Sequence, residues 1–169
     1  KDAPLTYRNL CWTNKTRKQV IDKLQDTIIN PRVIDTSEEF ERDTAGDKHN
    51  RELKYGMGTP LIAMVGNTEL GTSKNELYTI TKTEPLTLYE PVLDKTIIID
   101  EKVEDTLKKN FLSGFCITIH KSQGETYNDE YTIYDWKKMS EGRSYIHRRL
   151  RYVAQSRSTN PEKNIYYKY

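Results

Sequence analysis

The stretch "TIHKSQGETY", Thr118 to Tyr127, leaves the apolar run Phe115-Cys116-Ile117 and at once presents His, Lys, Ser, Gln and Gly, followed by a carboxylate. Phe115, Ile117 and Ile119 alternate, which is the period of a strand. A strand that ends in a turn containing Ser and Gly exposes backbone N–H groups and a hydroxyl, and both bind phosphate oxygens. Lys121 adds charge, Gly124 lets the backbone approach a ligand, and Glu125 can accept from a ribose hydroxyl. Alone, such a loop is equally a structural strand-to-helix turn.

Further along, "EYTIYDW" (Glu130 to Trp136) reads as another strand, and "NIYYKY" closes the chain as a last one. Between them Ser144 is placed to cap a helix in which Ile146, Leu150, Val153 and Ala154 form one buried stripe. Arg157 stands at the end of that helix, within "YVAQSRS". A guanidinium there either faces a partner surface, where it neutralises charge on a transferring phosphoryl group, or simply complements the helix macrodipole.

Working back to the start, "LTYRNLCW" (Leu5 to Trp12) reads as a strand. Thr13 or Asn14 caps a helix carrying Val20, Ile21, Leu24 and Ile28 at helical spacing, and Asn30-Pro31 closes it. Strand–helix units of this kind build parallel sheets. The polar, acid-rich stretch from Asp35 to Tyr55 has no apolar period and reads as an exposed connection. From Gly58 to Asp100 the pattern changes to short β runs, "TPLIAMVG", "NTELGTSKN", "ELYTITKT", "PLTLYEPV" and "KTIIID", punctuated by Gly, Asn and Pro. That is the pattern of a small antiparallel barrel or meander, followed by a brief helix near Val103 to Asn110.

Composition narrows the classes. At 169 residues, 35% hydrophobic and 31% charged, the chain is polar, and no apolar run approaches the roughly 20 residues of a membrane helix, so no membrane partner is expected. Cys11 and Cys116 lie in apolar stretches and read as buried free thiols of a reducing compartment; a zinc or other metal site has no support. The net charge of +2 is unevenly placed. Lys137 to Tyr169 holds nine Lys or Arg against two acids, a net +7 that leaves −5 on the rest. Such asymmetry marks either a polyanion-binding face or a solvated helix face.

"CITIHKSQGETY" and "LRYVAQSRST", in this order, resemble motifs V and VI of superfamily 1 DNA helicases, most closely the RecD-like branch. "LCWTNKTRKQVIDKL" resembles the strand–helix that opens the second RecA-like lobe, and "GTPLIAMVGNTELGTSKNELYTI" the opening of the Src-homology-3-like barrel inserted in it. The resemblance implies an α/β fold with a RecA-like, mainly parallel sheet flanked by helices. Residues 1–56 and 104–169 would form the lobe, and 57–103 a small antiparallel β-barrel insertion. It further implies that Asn14, Thr118, His120, Lys121 and Ser122 face single-stranded DNA, while Gln123, Gly124 and Glu125 approach ATP. Arg157 would be the catalytic arginine finger. Trp12, Tyr127 and Tyr152 are candidates for base stacking or for the core.

The sequence lacks G-x-x-x-x-G-K-[ST] and an acidic Walker-B strand, so ATP and Mg²⁺ would be held mainly by a first RecA-like lobe, expected before Lys1. These 169 residues alone are expected to be inactive. Richness in Ile, Lys, Asn and Tyr suggests an AT-rich genome, such as that of a large DNA virus, and an intracellular site: cytoplasm, nucleus or viral replication site. The competing reading is a non-catalytic nucleic-acid-binding or interaction module derived from a helicase lobe.

Overall fold

Four short parallel strands, one from the start of the chain and three from its last third, form one sheet in the computed structural model, which describes residues 6–38 and 50–167. β1 (Arg8–Cys11), β9 (Ile117–Thr118), β10 (Tyr131–Ile133) and β11 (Ile165–Tyr167) lie in the order β11-β10-β1-β9. The register pairs Arg8 with Tyr131, Tyr131 with Ile165, and Cys11 with Thr118. Strands buried on both faces read as apolar runs rather than alternating ones. Leu10, Cys11, Tyr131 and Ile133 accordingly have no solvent exposure. The mixed α/β architecture is the expected one, although β9 is shorter than the span from Phe115 to Ile119 suggested.

β1 leads into α1 (Asn14–Gln25). Thr13 caps it, its Oγ1 accepting from the Thr16 N–H at 3.2 Å. Val20, Ile21 and Leu24 are buried as their spacing predicts. The helix stops at Gln25, ahead of Asn30-Pro31. There the Thr27 hydroxyl donates to the Leu24 carbonyl at 2.7 Å, and Asn30 adopts φ 50°, which asparagine tolerates better than most residues.

Two compact units divide the chain: Lys1–Val20 with Cys116–Tyr169, and Ile21–Phe115. The second contains β2 (Arg32–Asp35) paired antiparallel with β3 (Glu52–Tyr55). This corrects the reading of Asp35 to Tyr55 as an exposed connection, since Leu53 and Tyr55 are buried. Gln25 supplies the reason in part: its Oε1 accepts from the Lys54 N–H at 3.1 Å and its Nε2 donates to the Glu52 carbonyl at 3.4 Å, so a side chain serves as one more backbone partner for β3. The rest of that expected connection, residues 39–49, lies outside the described residues.

The same unit holds a five-stranded antiparallel sheet in the order β7-β6-β5-β4-β8, from β4 (Pro60–Ala63), β5 (Leu77–Thr83), β6 (Leu86–Glu90), β7 (Lys95–Ile99) and β8 (Phe111–Ser113). "NTELGTSKN" is not a strand. Asn67 Oδ1 accepts from the Glu69 and Leu70 N–H groups at 3.0 and 3.1 Å, a local turn that outcompetes a ladder. α2 (Val103–Asn110) buries Leu107 and delivers Phe111, whose ring meets Tyr78 edge-on at 5.9 Å. Leu61, Tyr78, Ile80, Leu86 and Leu88 complete the core, each such side chain contributing about 1.5–3 kcal/mol on burial. Gly114 is required for space, because a Cβ would lie 2.8 Å from Leu77 Cδ1 and 3.1 Å from the Pro60 backbone.

Burial raises the phenol pKa of Tyr78, Tyr127 and Tyr131, with Glu76, Glu125 and Tyr167 adding to the shift respectively. The folded state therefore keeps these protons above about pH 10, where the unfolded chain loses them. Stability is fully present below that pH and falls as pH rises beyond it. Urea titrations on either side of about pH 10, with phenolate absorbance followed in parallel, should show tyrosines ionising together with unfolding. An unchanged urea midpoint would contradict this.

Candidate nucleotide and nucleic-acid site

The loop after β9 is built by short-range hydrogen bonds. The Thr118 carbonyl accepts from the N–H groups of Lys121 at 2.9 Å and Ser122 at 3.1 Å, and the Ser122 carbonyl accepts from Glu125 N–H at 3.1 Å. Ser122 is placed otherwise than expected. It is fully buried, and its hydroxyl donates to the Ile119 carbonyl at 2.8 Å, so it closes the turn and is not presented to solvent. Thr118 and Lys121 are half-buried, while His120, Gln123 and Gly124 are exposed. Gly124 has φ +91°, and a Cβ there would meet nothing within 4 Å. Glycine is thus needed for backbone geometry, and the space before it is open.

Arg157 meets this loop. It follows α4 (Tyr145–Gln155), which Ser144 caps as expected by accepting from the His147 N–H. Its Nε donates to the Val153 carbonyl at 3.1 Å, and Nη1 donates to the carbonyls of Ser122 at 3.3 Å and Glu125 at 3.0 Å. Nη2 donates to Ser156 Oγ at 3.0 Å. The planar fork suits this multiple contact, which an ammonium group cannot reproduce. The Tyr127 N–H donates to the Arg157 carbonyl at 2.6 Å, and Tyr127 bridges Ser158 in parallel, so backbone and side chain of Arg157 both hold the loop.

The two groups do not share the strand edge from which the loop departs. Thr118 ends β9, whereas Tyr127 and Ser158 precede β10 and β11. In a parallel sheet these are opposite strand ends, so Ile119 to Tyr127 runs from one end to the other. Thr118 ends β9 and pairs with Cys11 at the end of β1, with Asn14 and His120 following these two strand ends; Arg157 binds the middle of the loop, at Ser122 and Glu125.

Three side chains beyond the expected set hold this frame. Tyr131, between β1 and β11, donates its hydroxyl to the Ala154 carbonyl at 2.6 Å and ties the end of α4 to the sheet. Asp135, 8% exposed, accepts from the Thr16 hydroxyl at 2.9 Å, the Thr13 N–H at 3.3 Å and Lys138 Nζ at 2.9 Å. Burial pushes its pKa up, but the hydrogen bonds from Lys138 and Thr16 outweigh this and the net shift is downward. Its place in sequence, an acid directly after a strand and before α3 (Trp136–Glu141), was the signal available. Arg151 Nη1 donates to the Met139 and Ser140 carbonyls at 3.0 and 3.1 Å, closing the end of α3.

Among the stacking candidates, Tyr127 is core: it is buried, sits edge-on to Tyr131 at 5.1 Å and lies under Arg8 at 4.8 Å. Its hydroxyl donates to the Glu125 carboxylate, which places that carboxylate on a protein partner. Trp12 is half-buried and meets His147 edge-on at 5.0 Å, and Tyr152 is exposed. Both cysteines are buried and free. Among the described residues no group of three or more His, Cys, Asp or Glu side chains gathers.

No protein-family model and no curated protein matches the sequence. Solved structures do. The chain aligns over 100% of its length with a structure of two coordinating Pif1 helicases unwinding forked double-stranded DNA, at TM-score 0.63 and 21% identity. It does so too with a Bacteroides Pif1 helicase in complex with ADP-AlF3 and single-stranded DNA, at TM-score 0.61 and 19% identity. The Candida albicans Pif1 helicase gives TM-score 0.64 and 13% identity over 98% of the chain. The fold is shared with Pif1 helicases. The chain spans only 40%, 42% and 47% of those three chains, respectively.

Proposed function

We propose that this chain is the second motor lobe of an ATP-dependent DNA helicase, of the superfamily 1 branch that holds the Pif1 and RecD-like enzymes. The observation that carries the reading is the Arg157 guanidinium held on the Ser122 and Glu125 carbonyls, within a fold shared end to end with Pif1 helicases. Arg157 is the arginine finger. It turns from those carbonyls to the γ-phosphate of an ATP bound mainly, with its Mg²⁺, by a first RecA-like lobe of the same protein. Gln123 and Gly124 border the nucleotide, and Asn14, Thr118, His120 and Lys121 border single-stranded DNA at the opposite strand ends. The Ile119-to-Tyr127 crossing then links the two ligands. Glu125 acts through its carbonyl, and residues 57–103 are the inserted Src-homology-3-like barrel.

Hydrolysis supplies the free energy that alternates the grip on the strand, and this lobe contributes charge neutralisation and positioning. The full-length protein is expected to hydrolyse ATP faster with single-stranded DNA present, and residues 1–169 alone to show no useful turnover. Turnover by the 169 residues alone, or none by the full-length protein, would sink the proposal.

A further inference from the structure

α4 carries an outer face that the loop and Arg157 do not use. At 100° per residue, Tyr145, Arg148, Arg149 and Tyr152 fall on one stripe, opposite the buried Leu150 and Ala154. Tyr145 and Tyr152 are 71% and 73% exposed, and Arg143, Arg148 and Arg149 are exposed as well. Among the described residues Arg143 and Arg148 have neither an ion pair nor a side-chain hydrogen bond, and Arg149 lies only over the Tyr145 ring at 5.6 Å. Exposed helix faces are ordinarily laced with opposite charges three or four residues apart. Here no acid stands within four residues of Arg148 or Arg149, and Arg151 follows Arg148 at a like-charge spacing. The one neighbouring acid, Glu141, faces Lys137 at 3.8 Å.

We propose that this face is a second contact surface for single-stranded nucleic acid. Uncompensated cations bind backbone phosphates, and the two phenol rings, about 10 Å apart along the axis, offer platforms for bases. Cations without rings would fit any polyanion; rings interleaved with cations select one that carries bases. A lipid surface does not fit, because the apolar side of α4 is already buried against its own unit and cannot turn outward. The Trp12–His147 contact places the first turn of α4 beside the end of β1, where Asn14 begins α1. The inference stands on α4 alone and does not need Arg157 to touch a nucleotide.

The test uses the full-length protein and a fluorescein-labelled oligothymidylate, with anisotropy read across a salt series. Arg148→Ala/Arg149→Ala should flatten the log–log salt dependence by about 1.4, at about 0.7 per cation on a single strand. Tyr152→Ala should weaken binding roughly 5- to 100-fold with the slope unchanged, and Tyr152→Phe should restore it. All three side chains are exposed, so melting curves should match the parent. Lys121→Ala serves as a separate arm. Loss of binding there with parental behaviour in every α4 variant would overturn this surface and leave the proposed loop contact standing. Loss in the α4 variants alone would support the surface and remove the loop contact. Parental affinity and slope combined with a lost protein–protein contact in sedimentation would also overturn it.

Discussion

Arg157→Ala in the full-length protein is expected to lower ATP turnover by about 10³-fold or more, the magnitude associated with an arginine finger. The guanidinium starts from four hydrogen bonds, two of them to loop carbonyls. Its removal therefore does two things: it takes away the charge proposed to reach the γ-phosphate, and it unties the loop at Ser122 and Glu125. Arg157→Lys separates them. It keeps a charge but cannot span both carbonyls in the plane of a fork. If the finger role holds, kcat falls steeply in both variants while oligothymidylate affinity without nucleotide changes little. If Arg157 only anchors the loop, DNA affinity and melting temperature fall and kcat falls in proportion. Near-normal turnover in Arg157→Ala would remove the catalytic role.

Tyr131→Ala should destabilise the chain by about 3–5 kcal/mol, by analogy with other aromatic truncations in cores. Tyr131 has no solvent exposure, pairs with Arg8 and Ile165 on either side and packs edge-on against Tyr127. The cavity would open in the middle of a four-stranded sheet whose strands are only two to four residues long, where little else can close it. Tyr131→Phe isolates the hydroxyl. It leaves the Ala154 carbonyl short of its 2.6 Å donor and should cost about 0.5–1.5 kcal/mol. Because Ala154 precedes Arg157 by less than one helical turn, the phenylalanine variant is also expected to lower turnover more than its small stability loss explains. Urea unfolding of both variants, with ATP turnover alongside, checks both expectations; an unaltered midpoint for Tyr131→Ala would refute the core role.

Local physics made much of this protein readable in advance. The strand before Thr118, the cap at Ser144, the helix from Val103 to Asn110 and the cap at Thr13 each follow from spacing and side-chain chemistry within a few residues. Other expectations failed, most of them where a distant or competing partner decided. Leu53 and Tyr55 became a buried strand because β2 and Gln25 supply backbone partners, which no local pattern announces. "NTELGTSKN" lost its strand to the Asn67 side chain. Ile146, expected in the buried stripe of α4, is 61% exposed, since it lies in the first turn, ahead of the part of the helix that the sheet covers.

By itself the sequence determined that a charged loop follows an apolar strand, that an arginine ends a capped helix, and that short β runs separate these two halves from the first strand–helix unit. Those are properties of neighbouring residues, and hydrophobic period, caps and turn formers encode them directly. Only the tertiary structure decided that Arg157 lies on the carbonyls of Ser122 and Glu125, that Ser122 turns inward, and that the loop crosses from one end of the parallel strands to the other. The two Arg157 contacts join residues more than thirty positions apart, and they depend on the order β11-β10-β1-β9, whereas the Ser122 hydroxyl finds its partner three residues back, at the Ile119 carbonyl. A strand order is chosen by the packing of the whole sheet, and no single segment carries it.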